Sequence, residues 1–472
     1  MAMGRIEGRA IAVTTTLLAG LVACPSGAQT IVPAPDGTGT QVFSTGNDYT
    51  ITGGTTASDQ QNLFHSFTEF SLGTGASATF STDPAILNIL SRVTGGNPSL
   101  IDGLLQVSGS NANLWLINPQ GILFGENAAL NLQGSFTATT ADQVNFATGA
   151  WGTVGSTDYG ALVGPPHSLQ FSLGQPGSVV NAGTLRVSPG ESVVLVGGQV
   201  LNTGTIAAPG GAIVISAVEG GNLVRLAQAG QLLNLEVATL TEGADDPVPW
   251  VPTALPALLT GGAIAIANTV TVNPDGTVQL ADGTPIQPES GTTTVAGTLD
   301  VSGTQGGQLL VLGTDIALAA ATLTATGTQG GGTVRIGGDA QGQGPLPRAQ
   351  TTSVDAASTL AADALSNGAG GRVIVWADDT TTFAGSITAR GGSAGGDGGF
   401  VETSGRQTLN FAEGRVDASA ATGAAGLWLL DPSDITIGSA EAATIQNSLI
   451  VGNSVTISTI DGAPTDIAGP PG

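Results

Sequence analysis

The chain has 472 residues, of which 73 are Gly and only 10% are charged. There is no Lys, and 11 basic residues face 35 acidic ones for a formal charge of −24. That balance excludes partners whose binding is driven by phosphate neutralisation, so no nucleic acid and no anionic membrane surface is expected. Hydrophobic residues make up 41% of the chain, too many at this low charge density for a disordered polymer. The Gly residues have no period of three, which excludes collagen, and the abundance of Gly, Thr, Val and Ser favours strands over helices.

Residues 1–28 read as an export leader. Arg5 and Arg9 give a basic start, Ala10 to Ala23 an uncharged and mostly apolar run, and Ser26-Gly27-Ala28 the small residues of a cleavage site before Gln29. The run is shorter than the roughly 20 residues that span a bilayer. A competing cut lies at Leu21-Val22-Ala23-Cys24, where Cys24 would carry a lipid. Cys24 is the single Cys, so cleavage after Ala28 leaves a chain with no disulfide to form.

From residue 30 onward short apolar or alternating runs are separated by turn residues. Examples are Tyr49-Thr50-Ile51-Thr52, Leu104-Leu105-Gln106-Val107 and Leu114-Trp115-Leu116-Ile117, the last closed by Asn118-Pro119-Gln120-Gly121. Such runs read as strands, and Ile86 to Arg92 as a single short helix among them. Past residue 178 a repeat sets in. Val180-Asn181-Ala182-Gly183-Thr184-Leu185 recurs as Leu201-Asn202-Thr203-Gly204-Thr205-Ile206. Further on, Gly306-Gly307, Gly331-Gly332, Gly370-Gly371 and Gly398-Gly399 each precede an apolar run. A period of about 20–25 residues with two or three strands marks a solenoid. The predicted fold is all-β: a right-handed parallel β-helix (β-solenoid) with small extra-helical β elements near the N-terminus.

Two stretches break the pattern. Residues 241–258, with Glu242, Asp245, Asp246 and four Pro, read as an acidic Pro-rich linker or loop. Arg348 to Asn367 is Ala-rich and reads as an inserted loop. The expected organisation is a leader over 1–28, a first unit over 29–240, the loop over 241–258, β-helix repeats over 259–437, and an incomplete repeat with a tail over 438–472.

Residues 31–146 resemble the amino-terminal domain of the filamentous haemagglutinin family, the secretion domain of two-partner-secretion exoproteins. The resemblance rests on Asn62-Leu63-Phe64-His65-Ser66-Phe67-Thr68-Glu69-Phe70, Ile89-Leu90-Ser91-Arg92-Val93-Thr94-Gly95-Gly96, Ile101-Asp102-Gly103-Leu104-Leu105, Ala112 through Gly125, and Gly134-Ser135-Phe136-Thr137-Ala138-Thr139-Thr140, in that order. Gly426-Leu427-Trp428-Leu429-Leu430-Asp431-Pro432 is similar to a repeat segment of the cyanobacterial branch. Where the family has Asn-Pro-Asn-Gly-Ile, this chain has Asn118-Pro119-Gln120-Gly121-Ile122. A second family motif, Asn-Pro-Asn-Leu, is absent, since Asn97-Pro98-Ser99-Leu100 lies at another place in the order. The resemblance implies passage through the periplasm, recognition by an outer-membrane β-barrel transporter of the TpsB type, and release as an adhesin or structural protein that meets glycans or proteins on a host or neighbouring cell. Asn118 to Ile122 is then the candidate secretion motif, acting either as a β-helix corner or as a direct contact for the transporter.

No enzyme is expected, and no cofactor or metal. His65 beside Phe64 and Phe67 reads as a packed residue, and His167 follows Pro165-Pro166 in a loop. Two His and no Cys beyond the leader build no metal cluster. A β-helical polysaccharide-active enzyme, the alternative reading, needs converging carboxylates. Asp245-Asp246 and Asp378-Asp379 are adjacent pairs that point opposite ways in a strand, and Gly395-Gly396-Asp397-Gly398-Gly399 occurs once, without a nine-residue period.

Overall fold

The structure is a computed structural model describing residues 30–153, 155, 157–229, 232–239, 251–261, 270–287 and 289–459. Cys24, Ala28 and Gln29, which bear on the expected leader and its cleavage, and the pair Asp245-Asp246 lie outside the described residues.

The chain winds through three parallel sheets in a fixed order, which makes it a parallel β-helix. In one coil Asn113–Ile117 lies in the first sheet, Ile122–Phe124 in the second and Ala129–Asn131 in the third. The next coil repeats that order directly above. The repeats read from the sequence are stacked rungs: Val180 pairs with Leu201 and Thr184 with Thr205. Inward residues form columns along the axis, such as Leu309, Val334, Val373, Val401 and Trp428 in the first sheet. Leu299, Leu323, Leu360, Ile387 and Val416 form another in the third. Each side chain so buried contributes about 1.5–3 kcal/mol.

The paired glycines explain themselves by close approach. A Cβ on Gly331 would lie 1.9 Å from Ala362 O and 2.3 Å from Gly371 N of the following coil. The first Gly of one pair therefore abuts the second Gly of the next, and no side chain fits at that corner.

Excursions leave the helix at one corner, between the first and second sheets, after Phe136–Thr139, after Ala212–Ala217 and after Thr333–Ile336. The first two build a five-stranded antiparallel sheet from Gln143–Phe146, Gly149–Gly152, Ser168–Phe171, Asn222–Ala229 and Leu232–Thr239. It covers the outer face of the first sheet, where Phe64, Leu90, Trp115, Val194 and Val214 pack on Phe146, Trp151, Leu169 and Phe171. Strands of the first sheet are thus buried on both sides, which is why they read as continuous apolar runs. Helix α1 (Leu255–Thr260) and the small sheet of Val270–Val272, Val278–Leu280 and Pro285–Ile286 cover the second sheet in the same way, over Leu123, Val180 and Leu201. Residues 251–258, the described part of the Pro-rich stretch, thus include buried Leu255 and Leu258.

The chain departs from its sequence reading in two places. Ile86 to Arg92, expected as a helix, holds the strand Asn88–Val93, paired on both sides with Asn62–Phe67 and Asn113–Ile117. Ile89 points to the axis and Leu90 to the covering sheet, so alternation vanishes and the segment mimics a helix. Arg348 to Asn367, expected as a loop, holds the strands Thr351–Val354 and Thr359–Ala361, which continue the second and third sheets. Its alanines are interior residues of a narrow coil, Ala362 and Ala364 being buried.

At the far end helix α2 (Ser439–Ile450) lies across the last strand of the third sheet. Thr444 Oγ1 donates to Ala412 O (2.5 Å), Asn453 Nδ2 donates to Val416 O (2.8 Å), and Ala418 N donates to Asn453 Oδ1 (2.8 Å). Side chains here satisfy backbone groups that another coil would otherwise pair.

Candidate secretion site

The segments that carry the sequence resemblance meet in the first coils. Asn62, Asn88 and Asn113, one from each of three successive rungs, form an amide ladder. Asn88 Nδ2 donates to Asn62 Oδ1 (2.9 Å), and Asn113 Nδ2 to Asn88 Oδ1 (3.0 Å). Asn62 Nδ2 in turn donates to Leu162 O (2.8 Å) and Gly164 O (2.6 Å), tying the ladder to the first excursion.

Asn118 to Ile122 forms the corner between the first and second sheets, and all five residues are buried. The Asn118 side chain organises the turn from within. Its Oδ1 accepts the Gln120 N–H (3.0 Å), an Asx turn, while its Nδ2 donates to Asn97 O (3.1 Å) and Ser99 Oγ (3.0 Å) on the preceding coil. Gly121 has φ +127°, and a Cβ on Gly177 would fall 2.5 Å from Pro119 O. The corner is then sealed from outside: Thr253 N donates to Gln120 O (3.0 Å), and Leu258 of α1 lies over Gly121. Gln120, which stands where the family has Asn, is 1% exposed. Replacing Asn118 with Ala takes the side-chain partner from the buried Gln120 N–H and from the buried Ser99 Oγ. The expected cost is about 1–3 kcal/mol, read as a lower urea midpoint and faster proteolysis between residues 97 and 125.

Two buried polar residues of these segments were not singled out by sequence reasoning. Arg92, 4% exposed, donates from Nε to Ser66 Oγ (3.1 Å) and from Nη2 to Asp36 Oδ2 (3.0 Å) and Tyr159 OH (3.3 Å). Its Nη1 donates to Gly152 O, and its guanidinium lies 5.0 Å from the centre of the Trp151 ring. Burial alone would raise the Asp36 carboxyl, but hydrogen bonds from Ser66, Thr38 and Arg92 outweigh it and hold it at about 2. Asp102 accepts the Asn127 N–H (2.9 Å) and Asn127 Nδ2 (3.0 Å), pinning one coil to the next. The only signal was, for Arg92, a charge inside an apolar strand and, for Asp102, a charge in the short turn between two apolar strands.

His65 is fully buried; its Nδ1 faces Thr40 Oγ1 at 3.4 Å and its Nε2 has no partner, with Phe67 and Phe80 beside the ring. His167 Nδ1 lies 2.9 Å from Asn145 O in an exposed turn. Asp378 accepts Arg348 Nε (2.9 Å) and Trp376 Nε1 (3.2 Å), whereas Asp379 O accepts the Thr408 N–H (2.9 Å), so the pair is divided between two structural tasks. Asp397 Oδ1 accepts the Ala424 N–H (2.7 Å), closing a corner. Among the described residues no group of three or more His, Cys, Asp or Glu is placed to hold a metal ion.

The crystal structure of the HMW1 secretion domain from Haemophilus influenzae aligns with 85% of this chain and 99% of its own, at 23% identity and a TM-score of 0.43. That of the filamentous hemagglutinin secretion domain aligns with 85% and 100%, at 18% identity and a TM-score of 0.31. The heme/hemopexin-binding protein of Haemophilus influenzae is 30% identical over 140 residues, which are 29% of this chain. The match spans 14% of that protein's length. The family model of the TPS secretion domain matches residues 29–245, which take in the amide ladder, the Arg92 network, the Asn118 corner and the five-stranded covering sheet. Over residues 29–245, a little under half of its length, the chain thus matches the TPS secretion domain family.

Proposed function

We propose that this chain is the secreted exoprotein of a two-partner system in a Gram-negative bacterium. It leaves the periplasm through a dedicated outer-membrane β-barrel transporter of the TpsB type and acts outside as a non-enzymatic surface adhesin or structural protein. The observation that carries the reading is the TPS secretion domain at residues 29–245, from which a parallel β-helix runs on coil after coil. A cleaved leader ending at Ala28 would deliver the chain to the periplasm, with lipidation at Cys24 as the other route.

The geometry supports a division of labour at the candidate motif. Asn118 to Ile122 is buried once the chain has folded, so any contact of this segment with the transporter belongs to the unfolded chain in transit. After transit the same residues make the corner. Stacked coils contact only their neighbours, so folding can advance from the first coils as the chain emerges. The β-helix then presents long outer faces, and among the described residues no further sheet covers the third one. There Thr184, Thr205, Thr298, Thr322 and Thr359 stand in register. Such a surface suits contact with glycans or proteins of another cell.

The test is export itself. Deleting the transporter, or residues 30–146, is expected to leave the protein in the periplasm and remove it from the medium and cell surface, as read by fractionation and immunoblot. Unchanged export in both strains would overturn the proposal.

A further inference from the structure

Glu402 is a carboxyl in an unusual place. It sits in the strand Phe400–Gly405 and points to the outer face of the first sheet, between Ile374 and Leu429 on the flanking strands. It has no exposed surface. What covers it is the third excursion, residues 337–350, whose Ala340 packs on the cluster of Ile374, Trp376, Phe400 and Leu429.

The excursion is held at its centre by two carboxyl groups. Gln341 N donates to Glu402 Oε1 (2.9 Å), and Gln341 Nε2 donates to Asp431 Oδ2 (3.0 Å). Glu402 Oε2 is buried with no partner. Gln341 itself has φ +54°, in the left-handed region, with Gly338, Gly342 and Gly344 at φ +148°, +62° and +115° around it. A non-Gly residue held there is kept by its surroundings, here by Glu402 on its backbone and Asp431 on its side chain.

We propose that residues 337–350 form a flap whose hold on the sheet is set by the protonation of Glu402, tight while the carboxyl is neutral and loosened once it is charged, so that Ile374, Trp376 and Leu429 become accessible. A neutral carboxyl keeps the Oε1 acceptor for Gln341 and places its proton on Oε2. A carboxylate leaves a charged oxygen without a partner in an apolar layer, and lifting the flap hydrates it.

The charged neighbours favour the same direction. Burial, chiefly, pushes Glu402 up to about 7; hydrogen bonds from Gln341 and Ser404 oppose it, Asp431 reinforces it, and Arg372 offsets it weakly. Arg372, on the strand before, is occupied over the Phe400 ring at 4.3 Å, and burial lowers it. Arg335 lies against Asp339 (3.3 Å) and Arg348 against Asp378 (2.9 Å), so these cations are engaged by other acids.

The sign follows from linkage. In the lifted state the carboxyl is in water, with its ordinary value of 4.5; in the closed state it is near 7. Closing therefore needs a proton between those limits. The flap is tightest below about 4.5, loosens by nearly tenfold per pH unit up to about 7, and is level above.

Hydrogen exchange of the full chain between pH 4 and 9, corrected for the intrinsic pH dependence of exchange, tests this. Protection of the 338–344 amides is expected to fall by about a hundredfold from pH 4.5 to 7 and then stay constant, while a reference peptide at 178–187, which does not touch the flap, does not change. Glu402→Gln keeps the Oε1 acceptor and is expected to hold full protection at every pH. Asp431→Asn removes the like charge, so the fall should be smaller and end at a lower pH. Flat protection in the wild-type chain, or the same fall in either variant as in the wild type, would overturn the proposal.

Discussion

Replacing Arg92 with Ala is expected to destabilise the first coils by about 1.5–3 kcal/mol, the range for losing hydrogen bonds to a charged group, since the guanidinium is buried but Asp36 stays in reach of water. The effect is large because one side chain ties three parts of the chain. Asp36 belongs to the N-terminal segment, Ser66 to the first rung, and Gly152 and Tyr159 to the first excursion. Without the guanidinium, Asp36 keeps its charge with only Ser66 and Thr38 against it, and the Trp151 ring loses its cation. Lys at this position keeps the charge but not the planar fork of donors, so Arg92→Lys should recover less than half of the loss. The measurement is the urea midpoint followed at the N-terminal coils by hydrogen exchange, because a repeat protein loses structure unit by unit. Pairing Arg92→Ala with Asp36→Asn in a double-mutant cycle should show the two losses to be far from additive. Additive losses would mean that the ion pair is not what joins the segments.

This network also marks the limit of what could be read before folding. Stacked rungs were legible because neighbours in space are one period apart in sequence, as with Val180 and Leu201. Close-approach corners were legible because only Gly fits them, as at Gly331. The Asn118 turn was legible because an Asn-Pro pair after an apolar run has few other uses. The Arg92 partners, in contrast, are spread from residue 36 to residue 159, and only the excursion brings them together. Helix α2 was hidden for another reason. It buries Thr444 and Ser448 rather than an apolar stripe, because its task is to satisfy strand edges, so the hydrophobic periodicity that announces most helices is missing. Glu402 was hidden too, since a lone Glu in a strand reads as solvent-facing until a covering loop is known.

Lowering the pH from 7 to 4 is expected to loosen the first coils through His65. The imidazole is fully buried, and burial pushes it from 6.5 down to about 4. In the unfolded chain it takes up a proton at its ordinary value, whereas in the folded chain it does not. Stability is therefore complete above about pH 6.5 and declines as the pH falls toward 4, by about 3 kcal/mol over the window at 1.36 kcal/mol per unit. Asp36 enters only lower, since its stabilisation is lost as the pH falls through about 2. Glu402 acts with the opposite sign, but through the flap at residues 337–350, so a local readout separates the two. Hydrogen exchange of peptides from residues 62–93 should show protection falling between pH 6.5 and 4 in the wild-type chain. His65→Leu removes the titrating group and forfeits little, because Nε2 has no partner and the Thr40 contact is long at 3.4 Å. In that variant protection of the same peptides should stay level down to pH 4. If it falls as steeply as in the wild type, the acid sensitivity of the first coils has another source.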